Sequence, residues 1–125
     1  MTNKQLLKYW QKILGLQDWI IDLRDNSIPS DFLEQGRAGE VEWQEVNKTA
    51  VIRILKSECY GKRIIPFNFE KTLIHELLHI KFYIFSESEN ELQIRLLHQL
   101  IEDFAKMLYK LRNQGEHKND QTKTN

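Results

Sequence analysis

The run His75-Glu76-Leu77-Leu78-His79 sets two imidazoles four residues apart with a carboxylate between them. On an α-helix, positions i and i+4 share a face, so both rings can reach one cation while the carboxylate stands beside them. Neutral imidazole nitrogen suits Zn²⁺, whose catalytic sites take three protein ligands and keep one position for water. Glu76 is then placed as the general base that takes a proton from a metal-activated water. The competing reading is a pair of surface histidines with no metal between them.

Two histidines leave such a site one ligand short, and the donor must come from an element packed beside the motif. His98 and Glu102 are the candidates, one turn apart and 19 and 23 residues beyond His79. On a helical projection His98 sits at the rim of the apolar face, whereas Glu102 is turned further toward solvent, so His98 is the preferred third ligand and Glu102 the alternative. A metal-bound imidazole commonly donates its other N–H to a carboxylate, a role open to Glu102 or Asp103. Tyr83 shares the polar face of the motif helix, where it either touches a developing oxyanion or simply packs. His117 lies in the tail and is assigned no part.

The elements that must hold these residues follow from periodicity. The spacing predicts a motif helix over about 70–85, with Leu73, Ile74, Leu77, Leu78, Ile80 and Ile84 on one face and Thr72, His75, Glu76, His79 and Tyr83 on the other. Asn68 is its expected cap. A second long helix is expected over about 91–113, opened by Ser88 and Glu91 as a capping box, with Leu96, Leu97, Leu100, Ile101, Phe104, Leu108 and Leu111 as its apolar face.

Upstream, Leu6, Leu7, Trp10, Ile13 and Leu14 mark a short amphipathic helix with Thr2 or Asn3 as cap and Gly15 as stop. Strand-forming runs occupy 19–24, 37–46 and 49–56, with Val41 and Trp43 inward in the second and Ala50, Ile52 and Ile54 on one side of the third. Asn47-Lys48 reads as a tight hairpin turn between them. A connection with room for one helical turn spans 25–35, and a loop spans 57–66. Helix, three strands and two helices make an α+β fold with a small, mostly antiparallel sheet.

The chain has 125 residues, enough for one modest core, expected over 1–115, followed by a polar tail at 116–125 expected to be disordered. Lys plus Arg and Asp plus Glu balance at 18 each, so no overall field favours nucleic acid or an anionic membrane. A single cysteine, Cys59, forms no internal disulfide, and the amino terminus carries no apolar run of signal-peptide length. The expectation is a cytoplasmic protein acting on a peptide or protein, with neither nucleic acid nor membrane as partner and with its oligomeric state open.

The HELLH helix, the strands before it and the His- and Glu-bearing helix after it resemble the minimal zincin metallopeptidases, especially the small ones of phages and prophages. That resemblance implies zinc-dependent peptide hydrolysis, with His75, His79 and His98 as metal residues, Glu76 as the catalytic one, and an edge strand, the second or third, aligning an extended substrate. Many of those relatives carry glutamate where this chain has His98. The longer metzincin signature is absent, since Phe82 stands in place of its glycine and Phe85 in place of its third histidine. The alternative is a non-catalytic zinc-binding regulatory module of a phage or mobile element, closed by a fourth ligand for which Cys59 is the available thiol. A regulatory variant of the peptidase reading has the protein cleaving a repressor encoded by the same mobile element.

Overall fold

The computed structural model describes residues 1–87 and 90–124, with side chains through residue 114. Helix α1 spans Asn3–Ile13 and opens on a reciprocal cap in which Thr2 Oγ1 accepts from Gln5 N–H at 3.2 Å and Gln5 Oε1 accepts from Thr2 N–H at 2.8 Å. It buries Leu6, Leu7 and Trp10, and the chain turns away at Gly15 with φ 71°.

Strands β1 (Ile20–Ser27), β2 (Gly39–Gln44) and β3 (Thr49–Leu55) form one sheet in the order β1-β3-β2. β2 and β3 pair antiparallel across a turn at residues 45–48, longer than the two-residue turn expected, with Lys48 at φ 52°. β1 pairs with β3 in parallel. β2 therefore runs opposite to β1, and the connection between them only has to pass β3 at one end of the sheet, with one 3-10 turn at Pro29–Asp31 on the way. β3 lies in the centre of the sheet and points Ala50, Ile52 and Ile54 into the core. Its central place removes it as a free edge, leaving β2 as the edge beside the motif.

A four-residue helix, α2 (Ser57–Tyr60), interrupts the expected loop, and α3 (Phe69–Lys81) follows. Asn68 caps α3 as expected, its Oδ1 accepting from Lys71 N–H at 3.0 Å. Leu73, Ile74, Leu77, Leu78 and Ile80 are all buried, and full burial of such side chains is worth about 1.5–3 kcal/mol each. The helix stops four residues short of the expected end, because the chain tightens into a 3-10 segment, Tyr83–Glu87, beyond Phe82. That change of winding turns Ile84 out of the core stripe, leaving it 60% exposed.

Helix α4 spans Glu91–Thr124. Asn90 caps it, its Oδ1 accepting from Leu92 and Gln93 N–H groups at 3.0 and 3.2 Å, while Ser88 lies outside the described residues. The buried stripe of α4 is Leu97, Ile101 and Ala105, flanked by half-buried Phe104 and Leu108. Leu96, Leu100 and Leu111, expected on the core face, are exposed, since α4 covers one side of α3 and a single partner helix buries a narrower stripe. The polar tail expected at 116–125 falls beyond the described side chains. No helix among the described residues is long and apolar enough to cross a membrane.

Three helices meet at one buried carboxylate. Glu70, in the first turn of α3, accepts from Trp10 Nε1 of α1 at 2.8 Å, from Arg112 Nη2 of α4 at 2.7 Å and from Arg112 Nε, with Asn113 Nδ2 at 3.4 Å. Burial pushes the Glu70 carboxyl up, but the hydrogen bonds from Arg112, Trp10 and Asn113 outweigh it and hold the carboxyl below its ordinary value of 4.5. A carboxyl depressed in the folded state stabilises fully above its unfolded value and loses that contribution as pH falls through the folded one. Stability should thus decline below pH 4.5 with a contribution from this group. Glu70→Gln should lower the unfolding free energy at pH 7 by about 3 kcal/mol, as expected when one partner of a buried ion pair is removed, and should shrink the gap between stability at pH 7 and pH 3. Urea unfolding at both pH values checks this, and an unchanged gap would remove Glu70 from the acid response.

Candidate metal centre

The polar face of α3 opens on a cleft of about 540 Å³ walled by β2 on one side and α4 on the other. Within it the donor atoms of His75, Glu76 and His79 all lie within 4.8 Å of one another. His75 Nε2 and His79 Nε2 face each other at 3.2 Å. Two nitrogens about 2.05 Å from a tetrahedral zinc stand roughly 3.3 Å apart, so this spacing fits a shared cation.

Helix α4 fixes the tautomer of the first histidine. Glu102 Oε2 accepts from His75 Nδ1–H at 2.7 Å, which leaves Nε2 as the unprotonated nitrogen turned toward His79. Glu102 thereby takes the supporting role that the sequence left open. His98, one turn earlier on the same helix, sets its ring edge-on to His79 with centroids 5.2 Å apart and lines the same cleft, although it lies outside the tight cluster of three.

Electrostatics suit a neutral donor set. Burial pushes His79 down to about 4, with His75, His98 and Arg37 adding to the effect. Burial also lowers His75, and the hydrogen bond to Glu102 opposes it only in part. Both shifts favour the neutral imidazole, the form that ligates metal. Glu76 is pushed up to about 8 by burial, with Arg37 opposing and Glu40 and Glu102 adding to the rise.

Glu76 owes its seclusion to a close approach of strand and helix. A Cβ at Gly39 of β2 would stand 2.6 Å from Thr72 Cγ2 and 3.0 Å from Glu76 Oε2. An isolated glycine in a strand is the signal for such an approach, and Gly39 falls within the expected second strand, where alternation alone gives it no weight. Glu40, the next residue, is buried and accepts from Arg53 of β3 and from the Leu33 and Glu34 N–H groups, which anchors the start of β2.

Other expected participants are placed elsewhere. Tyr83 packs edge-on against Trp19, with centroids 6.4 Å apart, because it lies in the 3-10 segment past the end of α3. Tyr60 lines the cleft instead and donates from its hydroxyl to Ile65 O at 2.7 Å. Cys59 is in α2 and outside the cluster of three. Arg37 and Lys71, which spacing alone did not mark, line the cleft as well.

The molecule is thus an α+β domain with a His75-Glu76-x-x-His79 triad like that of zincins. Comparison with known protein families, with curated proteins and with solved structures finds no match.

Gly39→Ala should destabilise the fold by about 1–3 kcal/mol, the usual cost of overpacking. Thr72→Ser removes the methyl that the new Cβ would strike and keeps the hydroxyl that donates to Asn68 O at 2.8 Å. The double variant should recover part of the loss in thermal unfolding, and no recovery would show that the strain lies with Glu76 instead.

Proposed function

We propose that this chain is a zinc-dependent metallopeptidase of the minimal zincin type, with His75, His79 and His98 as metal residues and Glu76 as the catalytic one. The observation that carries the proposal is the convergence of two imidazole Nε2 atoms at 3.2 Å beside a buried carboxyl in an open cleft. Zinc held there supplies Lewis acidity that polarises a scissile carbonyl and acidifies water.

The protein's own residues account for the remainder. Glu76 takes a proton from the attacking water and returns it to the leaving amine, a transfer favoured when the carboxyl titrates near the working pH. Glu102 holds the His75 ring in one orientation and one tautomer through Nδ1. His98 completes the ligand set from α4, where its ring already flanks His79. β2 offers an unpaired edge along the cleft, so an extended peptide can add to it by backbone hydrogen bonds, while Val41 and Trp43 give its side chains an apolar wall. A closed regulatory zinc site, by contrast, needs a fourth protein ligand, and Cys59, unlike His98, is not among the residues that line the cleft.

Metal analysis and a peptide-cleavage assay test the proposal together. The wild-type chain should bind one zinc ion, with His98→Ala losing it and Glu102→Gln weakening it by about 10–100-fold, the usual effect of removing a carboxylate behind a ligating histidine. Glu76→Gln should retain zinc and lose about 10²–10⁴-fold in cleavage rate, the share general acid–base catalysis typically supplies. Full retention of zinc in His98→Ala would move the third ligand elsewhere, and cleavage at the wild-type rate by Glu76→Gln would remove the general base.

A further inference from the structure

Two cationic side chains line the cleft together with the candidate catalytic residues, and neither has a structural task that accounts for it. Lys71 lies on α3 one turn before His75, so Lys71, His75 and His79 run along one face toward the same groove. Arg37 leads into β2 on the facing wall. The charge of Arg37 reaches both Glu76 and His79, and that of Lys71 reaches His75.

Lys71 is half-buried, yet among the described residues no carboxylate stands within 4.0 Å of its amine. It also sits in the first turn of α3, where the helix dipole disfavours a cation. A residue that breaks a local rule without a compensating contact marks a functional position. Among the described residues Arg37 pairs with Glu34 at 2.5 Å, and with side chains 47% and 66% exposed that pair is weak and readily exchanged for another carboxylate. The carboxylates of the cleft itself are committed: Glu102 is bound to His75, and Glu76 is secluded against Gly39.

From this placement we infer that the cleft selects peptides carrying a carboxylate close to the scissile bond, gripped between Arg37 and Lys71. The inference rests on the peptidase reading for its substrate and names the class of that substrate. A guanidinium and an ammonium on opposite walls straddle a carboxylate that approaches along β2, and charge-assisted hydrogen bonds of this kind are stronger than neutral ones. The carboxylate belongs either to an Asp or Glu side chain or to the free end of a peptide.

Binding to the full chain carrying Glu76→Gln, measured by calorimetry with and without zinc, tests the inference apart from turnover. Three peptides of otherwise equal sequence serve as probes: one with an internal glutamate and an amidated end, one neutral with a free carboxyl end, and one neutral and amidated. One of the first two should bind about tenfold or more tightly than the third, which identifies the source of the carboxylate. Adding Arg37→Gln and Lys71→Gln should bring that ratio close to one, and adding Arg37→Glu and Lys71→Glu should invert it, so that the neutral amidated peptide binds most tightly. Equal binding of all three probes overturns the inference, as does a preference that survives loss of both cations, since direct coordination of the carboxylate to zinc would then explain it. Cleavage of the same peptides by the wild-type chain is read separately: no cleavage of any probe strikes the peptidase reading, while the binding ratio alone decides carboxylate selection.

Discussion

The buried carboxylate of Glu70 is the constraint on which the geometry of the cleft depends. Its oxygens accept from α1 through Trp10 and from α4 through Arg112 and Asn113. An α-helix advances about 100° per residue, so fixing the direction of Glu70 fixes the rotation of α3 and with it the face on which Thr72, His75, Glu76 and His79 appear. The same contact fixes the position of α4 along α3, which brings Glu102 onto His75 Nδ1 and the His98 ring beside His79. A buried ion pair contributes little net stability because desolvation offsets its attraction, but an arrangement that satisfies every lone pair at once strongly disfavours other registers of the helices. For a domain whose site is shared between two helices, that discrimination matters more than the stability itself.

A second constraint acts from the sheet. β2 approaches α3 so closely at Gly39 that no side chain fits there, and the neighbouring Glu40 is tied to Arg53 and to the backbone of Leu33 and Glu34. The edge strand is therefore held against the helix at the point where Glu76 lies. Water is excluded from one side of that carboxyl, which is why burial dominates its behaviour, while the other side faces the cleft. Seclusion of the base and availability of an unpaired strand edge are thus two consequences of one close contact.

The parts of this arrangement that are local in sequence are legible in it. The His75-Glu76-Leu77-Leu78-His79 run, the Asn68 cap and the buried face from Leu73 to Ile80 follow from helical periodicity alone, as does the inward set Ala50, Ile52 and Ile54 from strand alternation. Of the two carboxylates that the sequence offers to back a candidate ligand histidine, Glu102 is the one that meets His75. What escapes a reading of the sequence depends on residues far apart in the chain. Glu70 joins Trp10 to Arg112, a contact that no periodicity encodes, and alternation identifies β1 as a strand without giving the direction of its partner. The end of α3 is hidden for another reason: Phe82, Ile84 and Phe85 continue an apolar pattern while the backbone has already left the α-helix, which also carries Tyr83 away from the site.

The same logic of fixed partners extends to protons. With Glu102 accepting from His75 Nδ1–H, the lone pair of His75 Nε2 is aimed at His79 Nε2, and a separation of 3.2 Å allows His79 to donate an N–H across the gap. A cation held by both rings would replace that proton, and His79 would then carry its hydrogen on Nδ1 while His75 would need no change. One imidazole is organised in advance for ligation and the other is set by the ligand that arrives. The asymmetry arises because only His75 has a carboxylate partner on α4, whereas His79 has another imidazole, His98, at its edge.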